Sequence, residues 1–387
     1  MKTPTPNPSE QRRSEELTQF IRQEIVQAGG LISFARFMEL ALYTPHLGFY
    51  CSDTPKFGAL GDFVTAPEIS SLFAKSVARQ TEQVLTALNG GDILEIGAGS
   101  GKFANDLLLE LEKLNCLPQH YFIYEKSEAL RAQQQITLRK DCSHLISRIH
   151  WLDSLPLKNK ITGIIIANEV LDALPFHCFR IEPDGIQERG VTLDHHGFCW
   201  EVAPPSKELI RRVNLILQEC PLSPGYESEI NLNLYQWLPP VASSLEKGVI
   251  LLFDYGYGRR EYYHPDRTSG TFMCFYQHHR ETNPFQWVGL QDITAHVDFT
   301  AVIECAIGET LRLGGYTTQS SFLLAAGLLD LASQNELTVI DQYQQNQAIK
   351  KLTLPSQMGE LIKVMALTKN FQESLLGFAL HDRRRSL

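Results

Sequence analysis

The sequence predicts an α/β fold, with helices packed on both faces of a mostly parallel sheet in the doubly wound manner. Two observations carry this expectation. Short apolar runs rich in isoleucine (DILEIG, YFIYE, ITGIIIAN and GVILLFDYG) read as strands buried on both faces. Between the first two lies GKFANDLLLELEKL, where Phe103, Leu107, Leu111 and Leu114 form one helical stripe. Strand and helix in alternation build crossover units, which make parallel strands.

Taken in order, the elements divide the chain into three regions. Residues 1–80 read as a cap of helices and loops. After a proline-rich leader, Leu17, Phe20, Ile21, Ile25 and Ala28 recur at helical spacing until Gly29-Gly30. Ser33 then caps a second helix through Phe37, Leu40 and Ala41, which ends before Pro45. The loop stretches YTPHLGFY and GALGDFVTAPEIS follow. Residues 81–260 hold the strand and helix alternation, a Rossmann-like core. Residues 261–387 are less regular, with a helical pattern near SFLLAAGLLDLA and an apolar run, IKVMAL, that returns to the sheet as a strand. The chain shows no internal repeat.

Bulk properties narrow the partners. A net charge of −9 over 387 residues does not favour a long nucleic acid, which needs clustered Lys and Arg. The eight cysteines are scattered singly with no CxxC pair, which argues against a disulfide framework or a zinc cage and for thiols in a reducing compartment. No apolar run reaches the roughly 18 residues of a membrane span. The first residues, MKTPTPNPSEQRRSEE, lack an apolar signal core, so the cytoplasm is the expected location.

The stretch ILEIGAGSGK carries the chemistry. A phosphate-gripping P-loop needs GxxxxGK then Ser or Thr, but here position 96 is Ile and Lys102 is followed by Phe103. A dinucleotide loop needs GxGxxG, but its third glycine would fall on Lys102. The spacing found is GxGxG, with Glu95 two residues before Gly97. That arrangement resembles the first motif of S-adenosylmethionine-dependent methyltransferases. This cofactor has no pyrophosphate, and Gly97, Gly99 and Gly101 would let bare backbone lie against its nucleoside and methionyl chain.

Three further strand ends carry polar groups. Glu125 ends the next strand, 24 residues beyond Gly101, and suits the two ribose hydroxyls. Asp153 stands where a third strand would end and is expected to meet the adenine amino group. Asn168 and Glu169 close the fourth. Each acid alone is equally well read as a helix cap; the ordered set points to a ligand at the carboxyl edge of the sheet.

The loop after the fourth strand, NEVLDALP, bears on the methyl acceptor. It lacks the Pro-Pro-aromatic platform that grips a base or amide amine. Its acids, Glu169 and Asp172, suit a cationic acceptor such as a guanidinium, which carboxylates grip through paired hydrogen bonds. A pair of helix-capping acids would look the same.

GDFVTAPEIS, EIGAGSGKFANDLL, NEVLDALP, LLFDYGYG, TSGTF, QDITAHVDF and MGELIKVMALT together resemble the MidA family over about Tyr43 to Thr368. The resemblance implies a seven-stranded class I methyltransferase sheet and S-adenosylmethionine as cofactor; no metal is expected. It also implies a protein substrate methylated at arginine, by kinship with an assembly factor of respiratory complex I, so that a respiratory-complex subunit is the partner implied. By position, Gly97, Gly99, Gly101 and Glu125 would line the cofactor, with Asp62, Thr65 and Glu68 folded over it. Glu169, Asp172, Asp254, Tyr255, His279 and Asp292 would face the acceptor. Two departures stand out: Phe73-Ala74 replaces Phe-Gly, and Trp287-Val288-Gly289 stands where the family has Pro-Gly. A methyltransferase of small molecules and a cofactor-binding assembly protein without turnover are the rival expectations.

Overall fold

A computed structural model describes residues 4–52, 54, 56, 64–156, 158–334 and 337–387. It divides into two compact units, each assembled from separated stretches: 1–63, 171–236 and 257–298 make one, and 64–170, 237–256 and 299–387 the other. These units cut across the expected boundaries at 80 and 260, and strand pairing is the reason. His177–Glu182, Gly185–Asp194, Gly197–Ala203 and Glu227–Ile230 form an antiparallel sheet that also takes in Ile32–Ser33. They therefore belong with the N-terminal helices rather than with the parallel core.

The larger unit holds a mostly parallel sheet, as the α/β expectation requires. Its strands are β1 (Asp92–Ile96), β2 (Tyr121–Tyr124), β3 (Ile149–Leu152), β4 (Ile161–Asn168), β5 (Leu245–Tyr257), β6 (Arg312–Thr318) and β7 (Ile362–Lys369). Along the main path they lie in the order β6-β7-β5-β4-β1-β2-β3. Neighbours from β3 to β5 run parallel, while β7 runs antiparallel to both β5 and β6. The IKVMAL run does return to the sheet, inserted between two strands. In β4, Ile164, Ile165 and Ile166 are all fully buried, as a strand covered on both faces requires.

The chain enters this sheet at its middle, steps outward to β3, then crosses back to β4 on the other side of β1. The carboxyl ends of β1 and β4 thus part in opposite directions and leave a crevice, where open α/β sheets place ligands. Helix Lys102–Lys113 buries Phe103, Leu107 and Leu111 of the predicted stripe and Leu108 besides, while Leu114 is its C-cap and half-buried. Helix Ser71–Ala87 joins the same core through Phe73, whose ring meets that of Phe253 edge-on at 5.2 Å. That packing is why residues 64–80 go with the sheet and not with the cap.

The smaller unit is built on helices Pro8–Gln27 and Phe34–Tyr43. Asn7 caps the first reciprocally with Glu10, and Ser33 Oγ caps the second by accepting from the Arg36 amide. Phe34 and Phe37 pack with Phe176, Val191 and Ile293 in one apolar core. A three-stranded sheet, Met273–Tyr276, His279–Glu281 and Asp292–Thr294, completes what concerns the site. Among the described residues, no helix is long and apolar enough to cross a membrane.

Candidate functional site

The glycine stretch forms a bend between β1 and helix Lys102–Lys113. Gly97, Gly99 and Gly101 have φ of +71°, +53° and +82°, the left-handed region that only glycine enters freely. A Cβ on Gly97 would lie 2.9 Å from Val170 Cγ2, and one on Gly101 would lie 3.0 Å from Gln134 Cα. At these two positions the backbone and its protein neighbours already demand glycine, a reason additional to the one expected from the sequence. Ser100 Oγ accepts from the Lys102 amide at 3.3 Å and donates to Glu68. Glu68 sits in the short helix Ala66–Ile69, which starts at buried Thr65, and the Thr65 carbonyl accepts from the Glu68 amide at 3.0 Å. Glu68 is thus tied to the bend through Ser100, with Thr65 at the start of the same short helix; Asp62 lies outside the described residues.

Glu125, at the end of β2, is buried and held at both oxygens. Oε1 accepts from the Ser127 amide at 3.0 Å and Oε2 from Gln134 Nε2 at 3.2 Å. Burial pushes its pKa up, and these hydrogen bonds pull the other way. These bonds still leave lone pairs of the carboxylate open to further donors. Gln134 had no place in the sequence reading, yet it lies at the centre of this network. Its Nε2 also donates to the Gly99 carbonyl at 3.0 Å, and its Oε1 accepts from Trp151 Nε1 at 3.0 Å.

The other two strand-end acids behave differently. Glu95 is buried and accepts from the Tyr121 hydroxyl at 2.7 Å; burial lifts its pKa to about 8. Asp153 is 94% exposed at its side chain and pairs with Arg131 Nη1 at 2.7 Å. Arg131 Nε in turn donates to the Glu125 carbonyl at 2.7 Å. The aspartate therefore stands at the rim of this edge, engaged with arginine.

At the end of β4, Asn168 Nδ2 donates to Glu169 Oε1 at 3.3 Å, while Asn168 Oδ1 is buried with no hydrogen-bond partner among the described residues. Glu169 has φ +52°, a left-handed conformation that is unusual for a residue with a side chain. Its amide donates to the Phe253 carbonyl at 2.8 Å. The next amide, Val170, donates to Asp254 Oδ2 at 3.2 Å, and Asp254 Oδ1 accepts from the Tyr255 amide at 2.9 Å. Fully buried, Asp254 braces the bend that carries Glu169.

In the smaller unit, Asp172 and Asp292 are both buried and both act on Tyr50. The Tyr50 hydroxyl donates to Asp292 Oδ1 at 2.8 Å. Burial first, then Asp292, Tyr43 and Asp172, push this phenol well above its ordinary pKa. Tyr43 stacks on Tyr50 at 5.5 Å, and its hydroxyl donates to the Ala173 carbonyl at 2.9 Å. His279 turns to its own hairpin, with Nδ1 2.8 Å from the Gln277 carbonyl oxygen.

The larger unit's residues suit S-adenosylmethionine: a bend of bare backbone, a fixed carboxylate with open lone pairs for ribose hydroxyls, and a buried amide oxygen with no donor among the described residues. Comparison with known proteins agrees. Residues 74–317 match the model of a family of S-adenosyl-L-methionine-dependent methyltransferases. A crystal structure from Burkholderia thailandensis, bound to S-adenosyl-homocysteine, is 38% identical and covers 100% of both chains with a TM-score of 0.94. The Caenorhabditis elegans homolog of the mitochondrial protein arginine methyltransferase NDUFAF7 is 27% identical, over 94% of this chain and 89% of its own. The human NDUFAF7 protein is 26% identical, over 88% of this chain and 81% of its own.

Proposed function

The chain belongs to the S-adenosylmethionine-dependent methyltransferase family, and from that premise we propose that it methylates a protein at arginine. The observation that carries the choice of acceptor is the group in the smaller unit: two buried carboxylates, Asp172 and Asp292, around the stacked phenols of Tyr43 and Tyr50. Planar cations are held by this chemistry, through paired hydrogen bonds to carboxylates and through the faces of aromatic rings. The names of the relatives, protein arginine methyltransferases at about a quarter identity, support the same reading.

On this reading the bend at Gly97–Gly101, Glu125 and Asn168 hold the cofactor, with Thr65 and Glu68 beside the bend. When bound, the cofactor supplies an electrophilic methyl group on its sulfonium. Because a guanidinium has a pKa above about 12, a carboxylate has to orient one nitrogen lone pair and accept a proton as transfer proceeds. Glu169 takes that part, fixed on the left-handed bend. The partner we favour is a subunit of a respiratory complex. The cytoplasm, a reducing compartment, suits the eight cysteines, all of which are free thiols.

The test is a labelled-methyl assay on lysate from a deletion strain, with the purified protein added back. Label in one protein, released as methylarginine on hydrolysis, supports the proposal. Label confined to small molecules, or cofactor binding without any labelled product, overturns it.

A further inference from the structure

We infer that Gln134 is a positioning residue for the cofactor, tying the carboxyl ends of β1, β2 and β3 into one preformed cradle. It reaches the Gly99 carbonyl after β1, the Glu125 carboxylate after β2, and the Trp151 indole on β3, all within 3.0 to 3.2 Å. The side chain is fully buried, and the Glu125 carboxylate it meets is buried too.

Its chemistry matches the three partners in a way few side chains can. Two acceptors, a carbonyl and a carboxylate, face the amide nitrogen, which has two hydrogens; one donor, the indole N–H, faces the amide oxygen. The opposite amide orientation would set oxygen against two acceptors and nitrogen against a donor, so the network itself fixes the assignment. Glutamate could not donate to both acceptors, and lysine could not accept from the indole. Being neutral, Gln134 also orients Glu125 without neutralising it, and leaves that carboxylate free to take the ribose hydroxyls.

Gly101 belongs to the same device. A Cβ there would lie 3.0 Å from Gln134 Cα and 3.3 Å from its Cβ, so glycine lets the helix Glu128–Asp141 come close enough for Gln134 to reach across. Thr137, one turn on, anchors the approach by donating to the Ser100 carbonyl at 2.8 Å. Charged groups around the carboxylate are few: Glu95, and Arg131 with its partner Asp153.

Titration of the full chain with S-adenosyl-homocysteine tests this through binding alone. Gln134→Ala is expected to weaken binding about tenfold or more, since it leaves a buried carbonyl and carboxylate short of donors. Wild-type affinity falls on acidification, because Glu125 must be ionised. Gln134→Glu keeps that acid limb and adds a second: affinity also falls as pH rises, because only a protonated Glu at 134 can donate to Glu125. Gly101→Ala also weakens binding, and combined with Gln134→Ala it loses little beyond either alone. Wild-type affinity in Gln134→Ala, no loss of affinity at high pH in Gln134→Glu, or full additivity with Gly101→Ala overturns the inference. If the alanine variant does not fold, the presence or absence of the glutamate variant's high-pH loss decides.

Discussion

Replacing Glu95 by glutamine is expected to make stability less dependent on pH, with the variant less stable than wild type in acid and more stable in mild alkali. The folded chain holds Glu95 at a pKa of about 8, against 4.5 ordinarily, because burial disfavours its charge by more than the hydrogen bond from Tyr121 favours it. Folded protein therefore keeps a proton that the unfolded chain has already given up. The resulting stabilisation is whole below about pH 4.5 and is lost as pH rises through about 8. At about 1.4 kcal/mol for each pH unit, the loss across that window approaches 5 kcal/mol, a large share of ordinary domain stability. Glutamine cannot ionise, but its amide N–H group has to find an acceptor in a space that holds the Tyr121 hydroxyl as donor. That mismatch costs about 1–3 kcal/mol at every pH. The two stability curves should therefore cross. Urea unfolding of ligand-free wild type and Glu95→Gln at several pH values between those limits gives the difference directly. Parallel curves would mean that Glu95 is ionised in the folded protein, and the account of its burial would be wrong.

Other expectations concern the bends and the acceptor group. Asp254→Asn keeps one acceptor where two amides, Val170 and Tyr255, both donate. It should let the Glu169 bend shift and lower turnover about 100-fold, while affinity for S-adenosyl-homocysteine holds; unchanged kcat would remove Asp254 from that role. Gly99→Val, a branched residue at φ +53°, should lower the melting temperature as well as abolish cofactor binding. Gly99→Asn tolerates that conformation and should isolate the loss of binding; an asparagine variant that binds normally would show that the bend does not meet the cofactor. Asp172→Asn should raise the KM for the acceptor protein about tenfold with cofactor affinity intact, as measured by label incorporated at increasing acceptor concentration. A KM equal to wild type would move the acceptor elsewhere.

Local signals served well where one element decides the outcome. The isoleucine runs became β1, β4 and β5, the Phe103 stripe became a buried helix face, and Glu125 followed from one helix and one strand after the glycines. Long-range pairing was harder to see. The antiparallel sheet of residues 177–230 announces itself in alternating HCFRIE and GIQERGVTLD around Pro183-Asp184-Gly185, a turn sequence, but nothing in that pattern says it would pair with Ile32–Ser33. Gln134 did leave a trace. Leu130 and Leu138 stand four residues either side of it, so a polar residue occupies an apolar stripe. A reader of periodicity passes over such a position because one exception does not change the helix. Asp254 was read as facing the acceptor; that it braces the amide of Val170 depends on the side-by-side register of Phe253 and Asn168, which only the folded sheet reveals.

The smaller unit draws on three stretches of chain, the last ending at residue 298. A ribosome adding about 5–20 residues per second needs on the order of ten seconds or more to go from the first stretch to the end of the third. Through that interval Leu17, Ile21, Phe34 and Phe37 have emerged without Phe176, Val191 and Ile293 to cover them. Nascent copies therefore present a sticky amphipathic pair of helices during synthesis, and slowing translation beyond residue 63 should increase their dependence on chaperones.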